Sequence, residues 1–309
     1  MNGILSGRAA QLALLLGLWL VWGYSWIMTK TGLMHISPMG LAVGRSLFAL
    51  ASLLVVLLLT RRSLTPPPFR DMLAIGLTQN TGFYALSNLA LLAGGAGKVS
   101  VLCYTMPFWT LLFARVFLGE QVRGLQWIGV MLALSGLICI LEPWALEADS
   151  VSNWLAIAAG MSWAVSVILL KRFRARHPGA DPINLTFWQM VWGTLPLVVL
   201  WLLVPNRPVD WGMPLLMALL FLGVLGGGLG WLVWALLLGR LSAGTASLNI
   251  LAIPGVAVFL AWLQLGEVPD FAESIGMGLI ACALAVLAAV TMFNERRLKR
   301  QLRARTPVA

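Results

Sequence analysis

The sequence predicts an all-α integral membrane protein with ten transmembrane helices, arranged as two inverted five-helix repeats with both termini in the cytoplasm. Three observations lead to this fold: the composition, the spacing of the apolar segments and an internal duplication. Of the 309 residues, 60% are hydrophobic and only 10% are charged, and the mean hydropathy is +0.90. Because a soluble globular domain carries about 25% charged residues, a soluble protein is excluded.

The apolar segments have the length of membrane spans. A helix needs about 20 apolar residues to cross the hydrocarbon core of a bilayer. The connectors between these segments are short, so no extramembrane domain of useful size is expected. The ten predicted spans are residues 10–33, 38–60, 71–93, 98–118, 124–141, 153–170, 182–204, 212–238, 243–265 and 274–293.

The first half of the chain recurs in the second half. Residues 22–30 read WGYSWIMTK and residues 163–171 read WAVSVILLK, which agree at four of nine positions. An offset of 144 residues relates the second spans of the two halves, and an offset of 147 relates the later ones. Matched pairs include Pro38 with Pro182, Gly76 with Gly223, Pro107 with Pro254, Gly119 with Gly266 and Glu120 with Glu267.

This duplication divides the chain into a first repeat at 10–141, a second repeat at 153–293 and a basic tail at 294–309. Because five spans is an odd number, the second repeat must enter the bilayer from the side opposite to the first. Inverted repeats of this kind are the construction of alternating-access transporters.

The distribution of positive charge orients the predicted spans. Of the 21 Lys and Arg residues, 17 fall on the side of the two termini, whereas Lys30, Lys98 and Arg207 fall on the other side and Arg45 lies inside a span. By the positive-inside rule, both termini are cytoplasmic, as expected in a bacterial inner membrane. The basic tail at 294–309 is expected to bind anionic lipid head groups, and no nucleic-acid partner is expected despite the net charge of +10.

Several local patterns together resemble the EamA family of the drug/metabolite transporter superfamily. They are the WGYSWIMTK segment, the arginine in span two, and the stretch from Pro107 to Glu120 that returns from Pro254 to Glu267. The resemblance covers about 10–293 and implies two inverted five-helix halves around a central cavity that moves small metabolites, often outward. Some relatives that export aromatic amino acids carry a tyrosine at the position of Tyr104 and a tryptophan at that of Trp163.

Polar residues within the third span predict one wall of this cavity. Asn80, Tyr84, Ser87 and Asn88 have the spacing i, i+4, i+7 and i+8, which places them on one helix face, with Gln79 beside them. Polar groups inside a bilayer need a partner or a wet surface. We therefore expect this face to line the cavity; the alternative is that these groups hydrogen-bond neighbouring helices as packing contacts.

The second half offers a different wall. The equivalents of Gln79, Asn80 and Tyr84 are Gly226, Gly227 and Trp231. The glycines there favour either a close-packing seam or a break in the helix, and the unlike walls suit a cargo with a polar end and an apolar end. Including the stripe, the expected substrate-binding residues are Gln79, Asn80, Tyr84, Asn88, Tyr104, Trp163, Trp231 and Asn249.

A further set of residues is expected along the pathway or at its gates: Trp22, Arg45, Pro107, Gln189 and Pro254. Each proline removes a backbone donor in mid-span, so paired kinks are predicted, either as hinges or as static bends. Arg45, whose equivalent is Gln189, is the only full charge well inside a span. It either attracts a carboxylate or phosphate of the cargo, or it snorkels outward as a structural group.

The absence of other chemistry narrows the function. No Asp or Glu lies in the interior of a predicted span, since Asp71 is at a span end, and no nucleophile with a base, metal cluster or carboxylate pair is visible, so an enzyme and a cofactor are not expected. Together with the family resemblance, which implies export of amino acids or related compounds, the sequence predicts a transporter that exports an amino acid or amino-acid-like small molecule by a facilitated or exchange mechanism, acting as a monomer or weak dimer. Proton-coupled drug or metabolite efflux and a membrane channel are the alternatives.

Overall fold

The structure is a computed structural model that describes residues 8–119, 124–141, 150–233 and 243–305, with the side chains of 8–12, 141, 150, 243–252, 287, 291–292 and 294–305 outside the description. Every regular element within these residues is helical. The first half contains α1 Arg8–Leu33, α2 Pro38–Leu59, α3 Phe69–Gly76, α4 Phe83–Ala93, α5 Ala96–Cys103, α6 Met106–Leu118 and α7 Leu125–Leu141. The second half contains α8 Ser150–Arg176, α9 Pro182–Leu203, α10 Met213–Leu220, α11 Ala243–Leu265 and α12 Phe271–Arg305.

Two π-helical segments interrupt the regular α-helices. Leu77–Gly82 joins α3 to α4, and Phe221–Leu229 follows α10. The repeat offset of 147 maps 77–82 onto 224–229, so the two segments occupy equivalent positions in the halves. Because π-helical turns are rare and concentrate at functional sites, their pairing draws attention to this level of the molecule.

Several helices have the length and composition of membrane spans. Within the described residues, six are long and apolar enough to cross a bilayer: Pro38–Leu59, Ala96–Leu118, Val151–Arg176, Pro182–Leu203, Met213–Val233 and Phe271–Val290. Shorter apolar helices lie at Leu125–Ile140 and Ile253–Leu265. Large apolar side chains such as Leu59 and Leu203 are exposed on the surface of the bundle, as expected of an integral membrane protein facing lipid.

Local sequence signals set several helix boundaries. Ser37 accepts a hydrogen bond from the Gly40 amide, and its repeat equivalent Asp181 accepts one from the Ile183 amide, so a side-chain cap followed by proline begins both α2 and α9. Gly119 and Gly266, with φ of 68° and 66°, follow the ends of α6 and α11. This left-handed conformation favours glycine, which explains the glycine of the repeated Leu-Gly-Glu sequence.

Most of the packing joins the first half of the chain to the second. Helix α1 packs against α11, α2 packs against the second π-helical segment and α7 packs against α12. Each of the first two contacts has an equivalent in which the halves exchange roles. The equivalent of α1 against α11 is α8 against α5 and α6, and the equivalent of α2 against the second π-helical segment is α9 against α3 and the first π-helical segment. All of these helices are in contact. The halves therefore interlock reciprocally, and a central cavity lies between them.

Candidate functional site

The cavity encloses about 740 Å³ of space free of atoms, part of which is open to solvent. Its walls come from α1, α2, the first π-helical segment, α4, α8, α9 and the second π-helical segment, with Tyr104 from the turn between α5 and α6. A mainly apolar cleft with a few converging polar groups is the usual form of a small-molecule site.

The structure brings most of the expected site residues to this cavity. Seven of the eight expected substrate-binding residues line it: Gln79, Asn80, Tyr84, Asn88, Tyr104, Trp163 and Trp231. The eighth, Asn249, has a side chain outside the described residues. Trp22, Arg45 and Gln189, expected along the pathway, also line the cavity.

The two prolines expected at gates differ from each other, and neither lines the cavity. The predicted span four is interrupted at Tyr104 and Thr105, and Pro107 lies in the first turn of α6, where no backbone donor is required. Pro254 lies inside α11, which continues through it as one helix. Within the described residues, only the first half thus has an interruption of the helix beside its proline. The role of either proline as a hinge stays a prediction.

A glycine crossing positions the amide wall. A Cβ at Gly76 would lie 2.4 Å from the carbonyl oxygen of Gln189 and 2.7 Å from the amide nitrogen of Gly193, so α3 meets α9 backbone to backbone. The first π-helical segment begins directly after this contact and carries Gln79, Asn80 and Thr81. The Thr81 hydroxyl donates to the Gly193 carbonyl at 2.7 Å, which fixes the segment against α9.

Unsatisfied acceptors distinguish this wall from ordinary packing. The side-chain amide of Asn88 donates to the Pro38 carbonyl at 2.9 Å, and that of Gln189 donates to Gln79 at 3.4 Å. The Oδ1 atoms of Asn80 and Asn88 are buried without a hydrogen-bond partner. Since a buried acceptor without a partner costs free energy, these two oxygens are suited to a donor that a bound molecule supplies.

Four aromatic rings form a second surface of the cavity. Trp26 lies 6.5 Å from Phe83 and 6.3 Å from Tyr104 between ring centroids, and Trp163 lies 5.0 Å from Phe83 and 5.9 Å from Tyr104. Each ring thus contacts two others in a closed set, with tilted or edge-to-face geometry, which aromatic pairs prefer. This surface can receive an apolar or aromatic group.

The second π-helical segment is a packing seam. A Cβ would lie 2.3 Å from Phe48 Cβ if placed at Gly223, and 2.6 Å from Ala49 Cβ if placed at Gly227. These glycines allow the segment to touch α2, which confirms the seam and not the break. The Gly226 carbonyl accepts a hydrogen bond from Trp22 Nε1 at 3.0 Å, and Trp22 packs against Trp231 with ring centroids 5.5 Å apart.

Arg45 lies over the ring of Tyr84. Its guanidinium carbon is 4.1 Å from the ring centroid, within the range of a cation–π contact. Tyr84 lies in the continuous helical rod 69–93 and also lines the cavity, so this contact places the guanidinium at the cavity wall. Whether Arg45 attracts the cargo or is a structural group stays a prediction.

An ionic cluster joins the halves at the end of the bundle where α1 finishes. Lys30 Nζ lies 2.8 Å from Glu267 Oε1 and donates to the Gly94 carbonyl, while Glu267 accepts from the amides of Ala96 and Gly97 at the start of α5. Burial acts to raise the pKa of Glu267, but the Lys30 hydrogen bond and the two amide bonds outweigh it and lower that pKa below its ordinary value.

Sequence reasoning missed several lining residues. Ser25, Trp26 and Thr29 line the cavity from α1 together with Trp22, and their spacing of i, i+3, i+4 and i+7 was a readable signal for one helix face. Phe83, Leu91 and Met190 also line it. Phe83 and Leu91 each lie three residues after a member of the polar stripe, Asn80 and Asn88, so the same helical spacing was a readable signal for them. Met190 has no such relation to the stripe, and no sequence signal separates it from packing residues.

A helical membrane bundle that encloses a partly polar cavity between two interlocking halves defines a membrane transporter. The chain belongs to the EamA-like transporter family, whose model matches residues 10–142 and 151–289. The protein is accordingly an integral membrane transporter and not an enzyme. This confirms the family resemblance drawn from the repeated motifs.

Relatives named as exporters match almost the whole chain. One is a probable terminal-alkyne amino-acid exporter of Streptantibioticus cattleyicolor, 27% identical over 93% of this chain and 94% of the relative. Another is a probable amino-acid metabolite efflux pump of Salmonella typhimurium, 27% identical over 86% of this chain and 90% of the relative. A solved crystal structure with a TM-score of 0.67 and 17% identity covers 94% of this chain and 99% of its own, which shows a shared fold.

Proposed function

We propose that the protein exports an amino acid or amino-acid-like compound by alternating access, in a facilitated or exchange mechanism. The observation that carries this proposal is the cavity between the halves, which is lined both by asparagines with unpaired amide oxygens and by aromatic rings. Such a cavity matches a small molecule with a polar end and an apolar end. The names of the two exporters described above point to the same class of cargo.

The proposed topology has ten spans in two inverted five-helix repeats, 10–141 and 153–293, with both termini cytoplasmic in a bacterial inner membrane. The reciprocal packing of the halves supports a twofold relation between them, and the excess of Lys and Arg on one side supports the orientation. Labelling of single cysteines placed in successive loops tests it. Accessibility showing that both repeats cross the membrane in the same sense would overturn the inverted arrangement.

The proposed substrate-binding residues are Gln79, Asn80, Tyr84, Asn88, Tyr104, Trp163, Trp231 and Asn249, with Trp22, Arg45, Pro107, Gln189 and Pro254 along the pathway. Tyr84→Ala and Asn88→Ala test the amide wall. Both should lower transport while leaving folded protein in the membrane. Because Asn88 also holds the Pro38 carbonyl, its yield must be measured beside its activity. Normal export by both variants at normal abundance would remove this wall from the site.

The composition of the cavity favours a mechanism without proton coupling. Among the described residues that line it, none is an aspartate, glutamate or histidine, and a buried carboxylate is the usual proton relay in transporters. Export driven by the cargo's own gradient, or by exchange, requires no such group. Uptake into proteoliposomes that depends on a pH gradient and disappears without one would favour proton-coupled efflux instead.

A growth-rescue screen tests the class of cargo. Expression of the protein should protect cells against toxic concentrations of particular amino acids or related metabolites. Proteoliposome counterflow with the compound identified by the screen then separates a carrier from a channel, because a carrier saturates and shows counterflow.

The basic tail at 294–309 is proposed to bind anionic lipid, with no nucleic-acid partner. The transporter is proposed to act as a monomer or weak dimer. Cross-linking in the membrane tests the oligomeric state.

A further inference from the structure

We infer that Arg45 binds the carboxylate of the cargo while one of the unpaired amide oxygens beside it, on Asn80 or Asn88, accepts a hydrogen bond from its ammonium group. This inference rests on the proposed function and assigns the recognised chemistry: an α-amino-acid zwitterion with a free carboxylate. It also predicts that the corresponding amines, which are cations without a carboxylate, are rejected.

The charge of the cavity is the first argument. Among the described residues that line the cavity, Arg45 is the only charged one. A single positive charge inside a bundle surrounded by lipid produces a strong local field, because the low dielectric screens it weakly. That field attracts an anionic group and repels a cation, so it selects between compounds that differ only in charge.

The partners of the guanidinium are the second argument. One face of the group lies over the Tyr84 ring, and within the described residues its N–H groups have neither an ion pair nor a hydrogen bond. The five N–H donors of an arginine form a planar fork that matches the two oxygens of a carboxylate. The stacking on Tyr84 orients this fork and leaves it available to a bound molecule.

The third argument compares Arg45 with Gln189, the residue at the equivalent position in the other half, whose side chain has a hydrogen-bond partner within the protein. Gln189 is buried, donates to Gln79 and therefore has a partner within the protein. Both positions are held at a glycine crossing, since a Cβ at Gly223 would lie 2.8 Å from the Arg45 carbonyl and one at Gly76 would lie 2.4 Å from the Gln189 carbonyl. The crossings are alike, but Arg45 carries a full positive charge and a planar set of donors without a partner in the described residues, whereas the Gln189 amide is neutral and already donates to Gln79.

The amide oxygens supply the complementary group. Asn80 and Asn88 lie about one helical turn on either side of Tyr84, or roughly 6 Å along the helix axis from it. Their Oδ1 atoms are buried and unpaired, with residue exposures of 2% and 0%. A carboxylate on Arg45 would thus leave the neighbouring ammonium of an amino acid on the wall that carries these acceptors, within reach of one of them, while the side chain extends toward the aromatic rings.

Four compounds that share a phenyl group test this assignment by binding to the purified full-length protein in detergent. The reference compound is L-phenylalanine, which has both the ammonium and the carboxylate. The second compound, 3-phenylpropanoate, lacks the ammonium. The other two, L-phenylalaninamide and phenethylamine, lack the carboxylate. We expect L-phenylalanine to bind most tightly and 3-phenylpropanoate next. The amide and the amine should bind about 10- to 100-fold more weakly than L-phenylalanine, as for the loss of a charge-assisted hydrogen-bonded pair.

Variants assign the effect to Arg45. Arg45→Gln installs the residue that the second repeat already accommodates at the equivalent crossing, and it should weaken both carboxylate compounds about 10- to 100-fold. Arg45→Lys keeps the charge without the planar fork and should give an intermediate loss. Arg115→Gln, which removes an exposed arginine of α6 that does not line the cavity, is the matched control.

The outcomes separate this inference from the proposed function. If the wild-type protein binds the amide or the amine as well as L-phenylalanine, or binds neither carboxylate compound, the inference is wrong. It is also wrong if Arg45→Gln keeps the preference for carboxylates. If the protein transports amino acids but shows no preference for carboxylates, the proposed function stands and only this inference fails. If carboxylates bind through Arg45 but no amino acid is transported, only the proposed function is contradicted.

Discussion

Gly76 and Gly223 occupy equivalent positions in the two halves, and each allows its helix to cross a helix of the opposite half. A Cβ at Gly76 would meet the Gln189 carbonyl at 2.4 Å, and one at Gly223 would meet the Arg45 carbonyl at 2.8 Å. The backbone geometry of the two crossings is therefore alike. The side chains presented to the cavity there, glutamine in one case and arginine in the other, are different.

The same division continues along both π-helical segments. The first carries Gln79 and Asn80 toward the cavity, whereas the second carries glycines, of which Gly227 packs against Ala49 of α2. Close backbone contact leaves little room for substitution, while the cavity wall leaves the choice of side chain open. The comparison teaches that the duplication retains the crossings, while polar side chains that line the cavity lie mainly on one wall and close-packed glycines on the other.

The largest effect is expected from filling a crossing. Gly223→Ala and Gly76→Ala should each destabilise the protein by about 1–3 kcal/mol, because the added methyl group forces two helices apart. Thermal unfolding in detergent measures this. Gly278→Ala is the matched control, since nothing lies within 4 Å of a Cβ there. Melting temperatures equal to that of the control would show that the crossings are looser than described.

The second effect concerns recognition at the amide wall. Asn80→Ala removes one unpaired acceptor and should raise the KM for amino-acid counterflow about tenfold, the loss expected for one hydrogen bond to a charged group. The amount of folded protein should stay near that of the wild type. Thr110→Ala serves as a control, because its hydroxyl bonds to the Met106 carbonyl within α6 and does not line the cavity. An unchanged KM would place Asn80 outside the site.

The third effect tests the ionic contact between the halves. Glu267→Gln should lower the melting temperature at neutral pH, because Lys30 and the amides of Ala96 and Gly97 lose a carboxylate partner. Since the folded pKa of Glu267 lies below its ordinary value, its stabilisation is complete above the unfolded pKa and is lost as pH falls through the folded pKa. The difference in melting temperature between wild type and Glu267→Gln should therefore disappear in acid. A difference that does not change with pH would contradict this prediction.

The smallest effect separates two adjacent glycines. At Gly226, a Cβ would lie 3.1 Å from the Ser25 hydroxyl oxygen, a group that can rotate away. Gly226→Ala should therefore change stability by less than about 0.5 kcal/mol. Gly227→Ala should cost more, because its Cβ would lie 2.6 Å from Ala49 Cβ. Equal melting temperatures for the two variants would argue against the seam on α2.

The positions of the helices were largely predictable from the sequence. Apolar runs are long in a membrane protein, and signals such as Ser37 with Pro38 and Asp181 with Pro182 mark where helices begin. The polar stripe of the third span was also readable, because few polar residues occur in apolar helices and each must find a partner or water. The structure places that stripe at the cavity, and its role in binding stays a prediction.

Other features depend on contacts between distant residues and carry no local signal. The π-helical segments follow from backbone crossings such as Gly76 on Gln189, which join residues far apart in the chain. The difference between Pro107 and Pro254 is likewise tertiary, since both stand in similar local sequence. Met190 is an apolar residue of α9, and only the fold shows that it lines the cavity and is not simply a packing contact.

The single arginine at the crossing has a consequence for how such a protein can originate. A pair of identical halves related by symmetry would place two arginines or two glutamines around the central space, and so either two positive charges or none. Covalent linkage of the halves permits one of each, Arg45 and Gln189. Joining two copies in one polypeptide thus allows a single positive charge beside a cavity that two similar halves share. One positive charge matches the single carboxylate of the proposed cargo.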